Sequence, residues 1–536
     1  MLKGEGFSYE GGDNTSGALA ETLRAEWERL CADYLPVCRE GLIWRYSRGP
    51  RADDAEQGWK LHVSATVLTA SEVLKRIAPV LLASGERFKA PASLRELQKL
   101  NCGLFYGYSQ VGKFITVYPR APEEAVALAL RLYELTRGMS APPVPFDRRF
   151  RPDAPVFYRY GSFRHVEIEN PDGTRTPAMR DPNGRLVADV REAADAKPEW
   201  VSDPFAFDET CEGVAAHASP LATTFRAFEA LAQRGKGGVY KALDLSTWPP
   251  RLCVLKEGRA AGELAWDGRD GHWRVKHEEV VLRALREAGV PVPRVYASFE
   301  VEGNGYLVTE YVEGETLQSL LLKRRRRLGL ARAFAYGLRL ATLLSRMHEA
   351  GWAWRDCKPA NVVVTADASL RPLDFEGACP AESPDQSPWG TAAFMPPASA
   401  GGEATPHMHQ DIYALGASLY LLLTGRLYDP RAPVHVWKLR RGIGARARRL
   451  LTTLLSAEQH ERPSAVEAAG ELAAVLSELE EARGVQGTSR VSLRRRRAAG
   501  REVESSRKIP ETRVGAEVFV DGVGCQKDES REVFCV

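Results

Sequence analysis

The chain lacks any long apolar run. Its most apolar stretch, Leu415–Thr424, is far shorter than the ~20 residues a spanning helix needs. Cysteine is sparse: nine residues in 536, none in C-x-x-C spacing. That excludes a zinc ribbon and a disulfide framework as organising devices. Neither sign of charge prevails, since the net charge of +3 is too small to argue for nucleic acid by itself. The opening MLKGEGFSYEGGDN has no apolar core, so no signal peptide is visible. No internal repeat is present. These absences point to a reducing, cytoplasmic setting with no membrane or nucleic-acid partner.

What remains is ordinary globular composition, 44% apolar and 27% charged, in a chain long enough for two to four domains. Three regions separate. Residues 1–215 mix helical patterns (18–35 and 67–78) with alternating strand patterns (59–63 and 113–118), followed by Pro- and Asp-rich turns over 142–204. Residues 222–482 open with strand patterns and turn helical from Leu317. Residues 483–536 are polar and basic, with the run 494–497, and read as a disordered tail that could hold one hairpin over 516–523. The basic run 323–327 reads as a solvated helix face.

Residues 352–361 read W-A-W-R-D-C-K-P-A-N, and Asp374-Phe375-Glu376 begins eighteen residues after Asp356. Asp, Lys two on, Asn five on, then Asp-Phe is the catalytic-loop and metal-site spacing of protein kinases. The region resembles eukaryotic-type Ser/Thr protein kinases over about 260 residues, with its motifs in family order. The resemblance implies a bilobal kinase fold, ATP and Mg²⁺. It makes Asp356 the residue that takes the substrate hydroxyl proton. Lys358 would neutralise the transferring phosphoryl, and Asn361 and Asp374 would hold metal. Lys256 would hold the nucleotide phosphates, paired with Glu278 (Glu279 being the alternative). Gly235, Gly237, Gly238 and Val239 would form a thin glycine-rich loop. Backbone groups of Glu310 and Val312 would meet adenine, with Thr309 behind them. Asp411 would anchor the catalytic loop. Trp354 stands where the family usually has His, Glu376 where it has Gly, and Ala398 where it has the Glu that pairs with Arg462.

Upstream, Gly58–Thr66, Phe88-Lys89, Tyr106–Pro119 and Val156–Gly161 resemble the N-terminal lyase region of class III lanthipeptide synthetases. The implied overall class is α+β: a bilobal protein-kinase fold preceded by an α+β lyase-like domain. Lys60 and His62, two apart on a strand, share a face. By resemblance His62 is the acid, Lys60 a phosphate contact and Lys89 the base. Lys113 and Arg159 would bind phosphate. The pairing makes chemical sense, because hydroxide leaves poorly and a phosphate ester leaves well. The implied function is an ATP-dependent Ser/Thr kinase that also eliminates phosphate from a ribosomally made precursor peptide. The alternatives are a signalling kinase with an inactive N-terminal docking domain, or a pseudokinase scaffold. The family's cyclase domain is not expected, because about fifty residues follow Arg483 and no histidine follows His460. A separate cyclase is the implied partner.

Overall fold

The computed structural model describes residues 14–38, 43–164, 166–189, 197–205, 219–323, 327–382, 389–397 and 407–482. The proposed tail and hairpin, Ala398 and the run 494–497 lie outside them. Among the described residues, no helix is long and apolar enough to cross a membrane.

The N-terminal domain is built on a seven-stranded sheet. Its strands are β1 (Val37–Cys38), β2 (Trp44–Tyr46), β3 (Gln57–Val63), β4 (Arg87–Pro91), β5 (Ile115–Tyr118), β6 (Arg148–Arg149) and β7 (Val156–Ser162). They run in the order β1-β2-β4-β5-β3-β7-β6. Alternation along β3, β4, β5 and β7 sends Leu61, Val63, Phe88, Val117, Ile115 and Tyr158 to one face. There they share a buried core with Val73, Ile77 and Leu81 of helix Ala70–Ser84 and with Leu128 and Leu132 of helix Pro122–Thr136. The opposite face is polar and basic.

The stretch expected as turns, 142–204, holds β6, β7 and a separate three-stranded sheet. That sheet consists of β8 (Glu167–Glu169), β9 (Arg175–Arg180) and β10 (Leu186–Ala188). Its hairpins turn at Asp172-Gly173 and Asn183-Gly184, with the glycines at φ 80° and 79°. Asx-Gly turns of this kind carry left-handed backbone at little cost. The strands are three to six residues long, too short for alternation to stand out among Pro and Asp.

Beyond it lies the bilobal unit. A five-stranded sheet, β11 (Phe225–Arg234), β12 (Gly237–Asp244), β13 (Arg251–Gly258), β14 (Val295–Val301) and β15 (Asn304–Glu310), runs in the order β11-β12-β13-β15-β14. Helix Gly271–Glu287 lies against it, started by Asp270, whose side chain accepts the Trp273 amide. The helical lobe centres on helices Leu330–Glu349 and His407–Thr424. Leu340, Leu344, Leu415 and Leu419 belong to one continuous core with Val281 and Leu285 of the upper helix.

Candidate active sites

In the cleft between the lobes, Lys256 on β13 donates to both carboxylate oxygens of Glu278, at 2.6 and 2.7 Å. Glu278, not Glu279, is the partner. Glu279 instead bonds Arg283 on the helix surface. Glu278 also accepts the Phe375 amide at 3.1 Å, which ties the helix to the Asp-Phe-Glu segment. Burial opposes the charge on Lys256, yet Glu278 and Asp374 outweigh it and hold its pKa above the ordinary value. Asp374 feels the reverse: burial raises its carboxyl, and Lys256, Lys236 and Lys358 bring it below the usual range.

The catalytic loop hangs from the buried Asp411, which accepts the amides of Trp354 (2.8 Å) and Arg355 (2.7 Å) and faces His348 (3.0 Å). Arg355 and Asp374 both sit at positive φ, 68° and 65°, a conformation that costs a non-glycine residue about 1–3 kcal/mol. Lys358 donates to Asp356 (2.8 Å) and Thr391 (2.7 Å), Thr391 donates to Asp356 (3.0 Å), and the Asn361 amide donates to Asp356 (2.8 Å). Burial and the nearby Asp374 charge push the Asp356 carboxyl up, against the pull of Lys358, as suits a proton acceptor. A cleft of about 320 Å³ is lined by Lys236, Gly237, Val239, Asp356, Lys358 and Asp374 among others. Asp374 and Asn361 offer a carboxylate and an amide oxygen. Such a small set of hard donors fits Mg²⁺, which keeps waters and phosphate oxygens as its other ligands. Among the described residues, no group of three or more His, Cys, Asp or Glu side chains is placed to hold a metal ion by itself.

Three departures from the kinase pattern have local partners. The Trp354 indole donates to the Asp374 carbonyl at 3.0 Å, and its ring stacks on Phe375. Glu376 is ion-paired with Lys236. Arg462 bonds the carbonyls of Ser456, Ala457 and His409, each at 2.9 Å, and lies over the Tyr413 ring. The expected glycine cradle is reduced. Gly235-Lys236 is a two-residue turn between β11 and β12, and the Gly235 amide donates to Cys102 of the N-terminal domain at 3.0 Å. Gly238 is packed against Tyr240. Gly237 and Val239 reach the cleft; Gly235 and Gly238 do not line it. Glu310 ends β15 with its side chain on Arg371 (2.8 Å), and Val312 lies just beyond.

On the basic face of the N-terminal sheet, register does what sequence spacing could only suggest. His62 is flanked by Thr116 on β5 and Phe157 on β7. Lys89 on β4 lies across the same Thr116, two strand spacings or about 10 Å from β3. Lys60 pairs with Arg159. Lys60, His62, Lys89 and Arg159 therefore share one face. Lys113, in the turn before β5, joins them through Asp147: His62 Nδ1 is 2.5 Å from one Asp147 oxygen, and Lys113 Nζ is 3.8 Å from the other. Arg159 is ion-paired with Asp189, and the Lys89 ammonium sits 4.0 Å from the Trp44 ring centroid. Burial pulls the His62 pKa down to about 4, with Asp147 opposing. Burial raises the Asp147 carboxyl, but His62, Lys113 and Arg159 outweigh it and bring it to about 2. Asp147 and Asp189 escaped the sequence reading because 85 and 30 positions separate them from their partners.

Fold and cleft geometry thus define a protein kinase domain preceded by a sheet domain with a basic, histidine-bearing face. The comparisons agree. Residues 34–217 match the family described as RamC, N-terminal domain, and residues 267–471 match the protein kinase domain. The chain joins a RamC-type N-terminal domain to a protein kinase domain. It is 31% identical over 398 residues to "Probable SapB synthase" of Streptomyces coelicolor, covering 72% of this chain and 42% of that protein. It is 32% identical over 172 residues to a serine/threonine-protein kinase of Clostridium perfringens, covering 30% of this chain and 25% of the relative. For the serine/threonine-protein kinase PknA of Mycobacterium tuberculosis, 32% identity extends over 164 residues, 28% of this chain and 37% of the relative. The chain spans less than half the length of each.

Proposed function

We propose that this chain phosphorylates Ser or Thr of a ribosomally made peptide and then eliminates the phosphate to leave a dehydroamino acid. The observation that carries this reading is the pairing, in one chain, of the Lys256–Glu278 and Asp356–Lys358–Asn361 arrangement with a cationic face on which His62 is backed by the Asp147 carboxylate.

In the first step Asp356 orients the substrate hydroxyl and takes its proton, while Lys358 and Lys256 neutralise phosphate charge. Asp374 and Asn361 would hold Mg²⁺, which supplies further charge neutralisation on the phosphates. In the second step Lys89, as the free amine, removes the Cα proton. The electron pair forms the Cα–Cβ double bond, the Cβ–O bond breaks, and His62 delivers a proton to the departing phosphate. Lys60, Lys113 and Arg159 meet its negative charge.

Two features set conditions on this step. Lys89 Nζ lies over the Trp44 ring, so Lys89 must give up its proton there before it can act as the base. With Nδ1–H directed at Asp147, the neutral His62 ring has its other nitrogen unprotonated. Arrival of a phosphate dianion raises the ring's proton affinity, which makes the acid available once substrate is bound. The product, a dehydrated peptide, calls for a cyclase acting after it. Intact-mass analysis of a Ser/Thr peptide after incubation with the protein and Mg-ATP tests the reading. Loss of water supports both steps, and gain of phosphate alone removes the second.

A further inference from the structure

Among the places where the kinase domain touches the N-terminal domain is the Gly235–Lys236 turn at the cleft, and what happens there goes beyond either site alone. Helix Leu94–Cys102 ends at Gly103 (φ 75°). Its last turn is fixed from behind by the buried Asn101 side chain, which donates to the Ala65 carbonyl (2.9 Å) and accepts the Gly112 amide (3.2 Å). The free carbonyl of Cys102, at the negative end of that helix, receives the Gly235 amide of the β11–β12 turn. A Cβ on Gly235 would lie 1.6 Å from the Asn101 carbonyl oxygen, so only glycine permits this approach.

Arg259 stitches the same turn from its other side. Its amide donates to the Lys236 carbonyl and its guanidinium to the Arg234 carbonyl, both at 2.8 Å. The guanidinium also lies 5.2 Å from the ring centroid of Tyr108 in the N-terminal domain. Tyr108 in turn meets Phe146 edge-on at 6.0 Å, next to Asp147. On the cleft side the turn presents Lys236 to Glu376 and Asp374.

We propose that the Asn101–Tyr108 segment of the N-terminal domain is a positioning element for phosphoryl transfer. It holds the Gly235–Lys236 turn so that Lys236 locks onto Glu376 and sets the height of β12 over the metal-holding Asp374. The short turn, with few glycines, lacks the conformational freedom of a long glycine-rich loop. Its position comes from the neighbouring domain, and Glu376 is the counter-charge that makes the lock. This inference rests on the kinase reading, and the test separates the two.

The full chain is assayed for phosphate incorporation with His62→Asn in every protein, so that elimination does not erase the signal. The parent must phosphorylate; if it does not, the kinase reading fails and not the seam. Tyr108→Ala and Gly235→Ala are then expected to raise the nucleotide KM and lower kcat, together by about tenfold or more, since small misplacements at the reacting centre are costly. Tyr108→Phe keeps the ring under Arg259 and restores most of the activity. Lys236→Met should reproduce the loss without touching the seam, which keeps the proposal testable if Gly235→Ala does not fold. Arg131→Ala, on an exposed helix face elsewhere on the domain, should change nothing. Parent-like kinetics in folded Tyr108→Ala overturn the proposal, and so do parent-like kinetics in Lys236→Met.

Discussion

Asp147 carries the sharpest residue-level expectation. It holds the His62 ring through Nδ1, so Asp147→Asn allows the wrong tautomer and removes the charge that stabilises the imidazolium. Elimination from a pre-phosphorylated peptide should fall about a hundredfold or more, while phosphorylation by the same variant stays at the parent rate. Lys256→Ala or Asp374→Ala should do the opposite, abolishing phosphate transfer and sparing elimination. Acid sensitivity offers a further check. The folded His62 pKa, about 4, lies below the unfolded value of ~6.5. The unfolded chain therefore binds more protons between those values, and His62 contributes stability that is complete above pH ~6.5 and lost as pH falls toward 4. Urea midpoints should rise less steeply across that window in His62→Asn than in the parent. The two sites were unequally legible at this scale. Asp356, Lys358, Asn361 and Asp374 lie within nineteen positions, so spacing alone exposes them. Lys89, Lys113 and Arg159 come together with His62 only through strand pairing between distant segments, and resemblance alone named them.

At the scale of elements, helix His407–Thr424 holds the catalytic loop through its buried Asp411. Asp411→Ala strips two buried amides, those of Trp354 and Arg355, of a charged acceptor. At about 1.5–3 kcal/mol each, unfolding free energy should drop by about 3–6 kcal/mol in a denaturant titration. Phosphorylation should fall even where the variant remains folded, because the Arg355 amide, at φ 68°, loses its bond to Asp411 and the catalytic loop loses that anchor. The expected strands over 59–63 and 113–118 appear as β3 and β5, the latter shortened by the turn that brings in Lys113. The expected helix at 67–78 appears as Ala70–Ser84. These segments carry apolar residues at one clear period. The β8–β10 sheet was missed because its edge residues are polar or exposed and its strands short, although both Asx-Gly turns were visible. The glycine loop was over-read: of its glycines, Gly235 serves the domain seam, a demand that comes from another domain and leaves no local sign.

For the whole molecule, the order sheet domain, small lobe, helical lobe was legible because each region has its own periodicity and because the kinase motifs fall in sequence. How the domains touch was not legible, since nothing in the sequence around Cys102, Tyr108, Arg259 and Gly235 marks them as partners of one another. Most direct is a time course of intact mass on a Ser/Thr peptide that the protein modifies, with Mg-ATP, comparing the parent with His62→Asn. The account predicts that the parent passes through a phosphorylated species to one lighter than the starting peptide by a water for each residue modified, and that His62→Asn stops at the phosphorylated species. A parent that accumulates phosphate and never loses it, or water loss that persists in His62→Asn, would contradict the claim that the basic face of the N-terminal sheet completes the reaction begun in the kinase cleft.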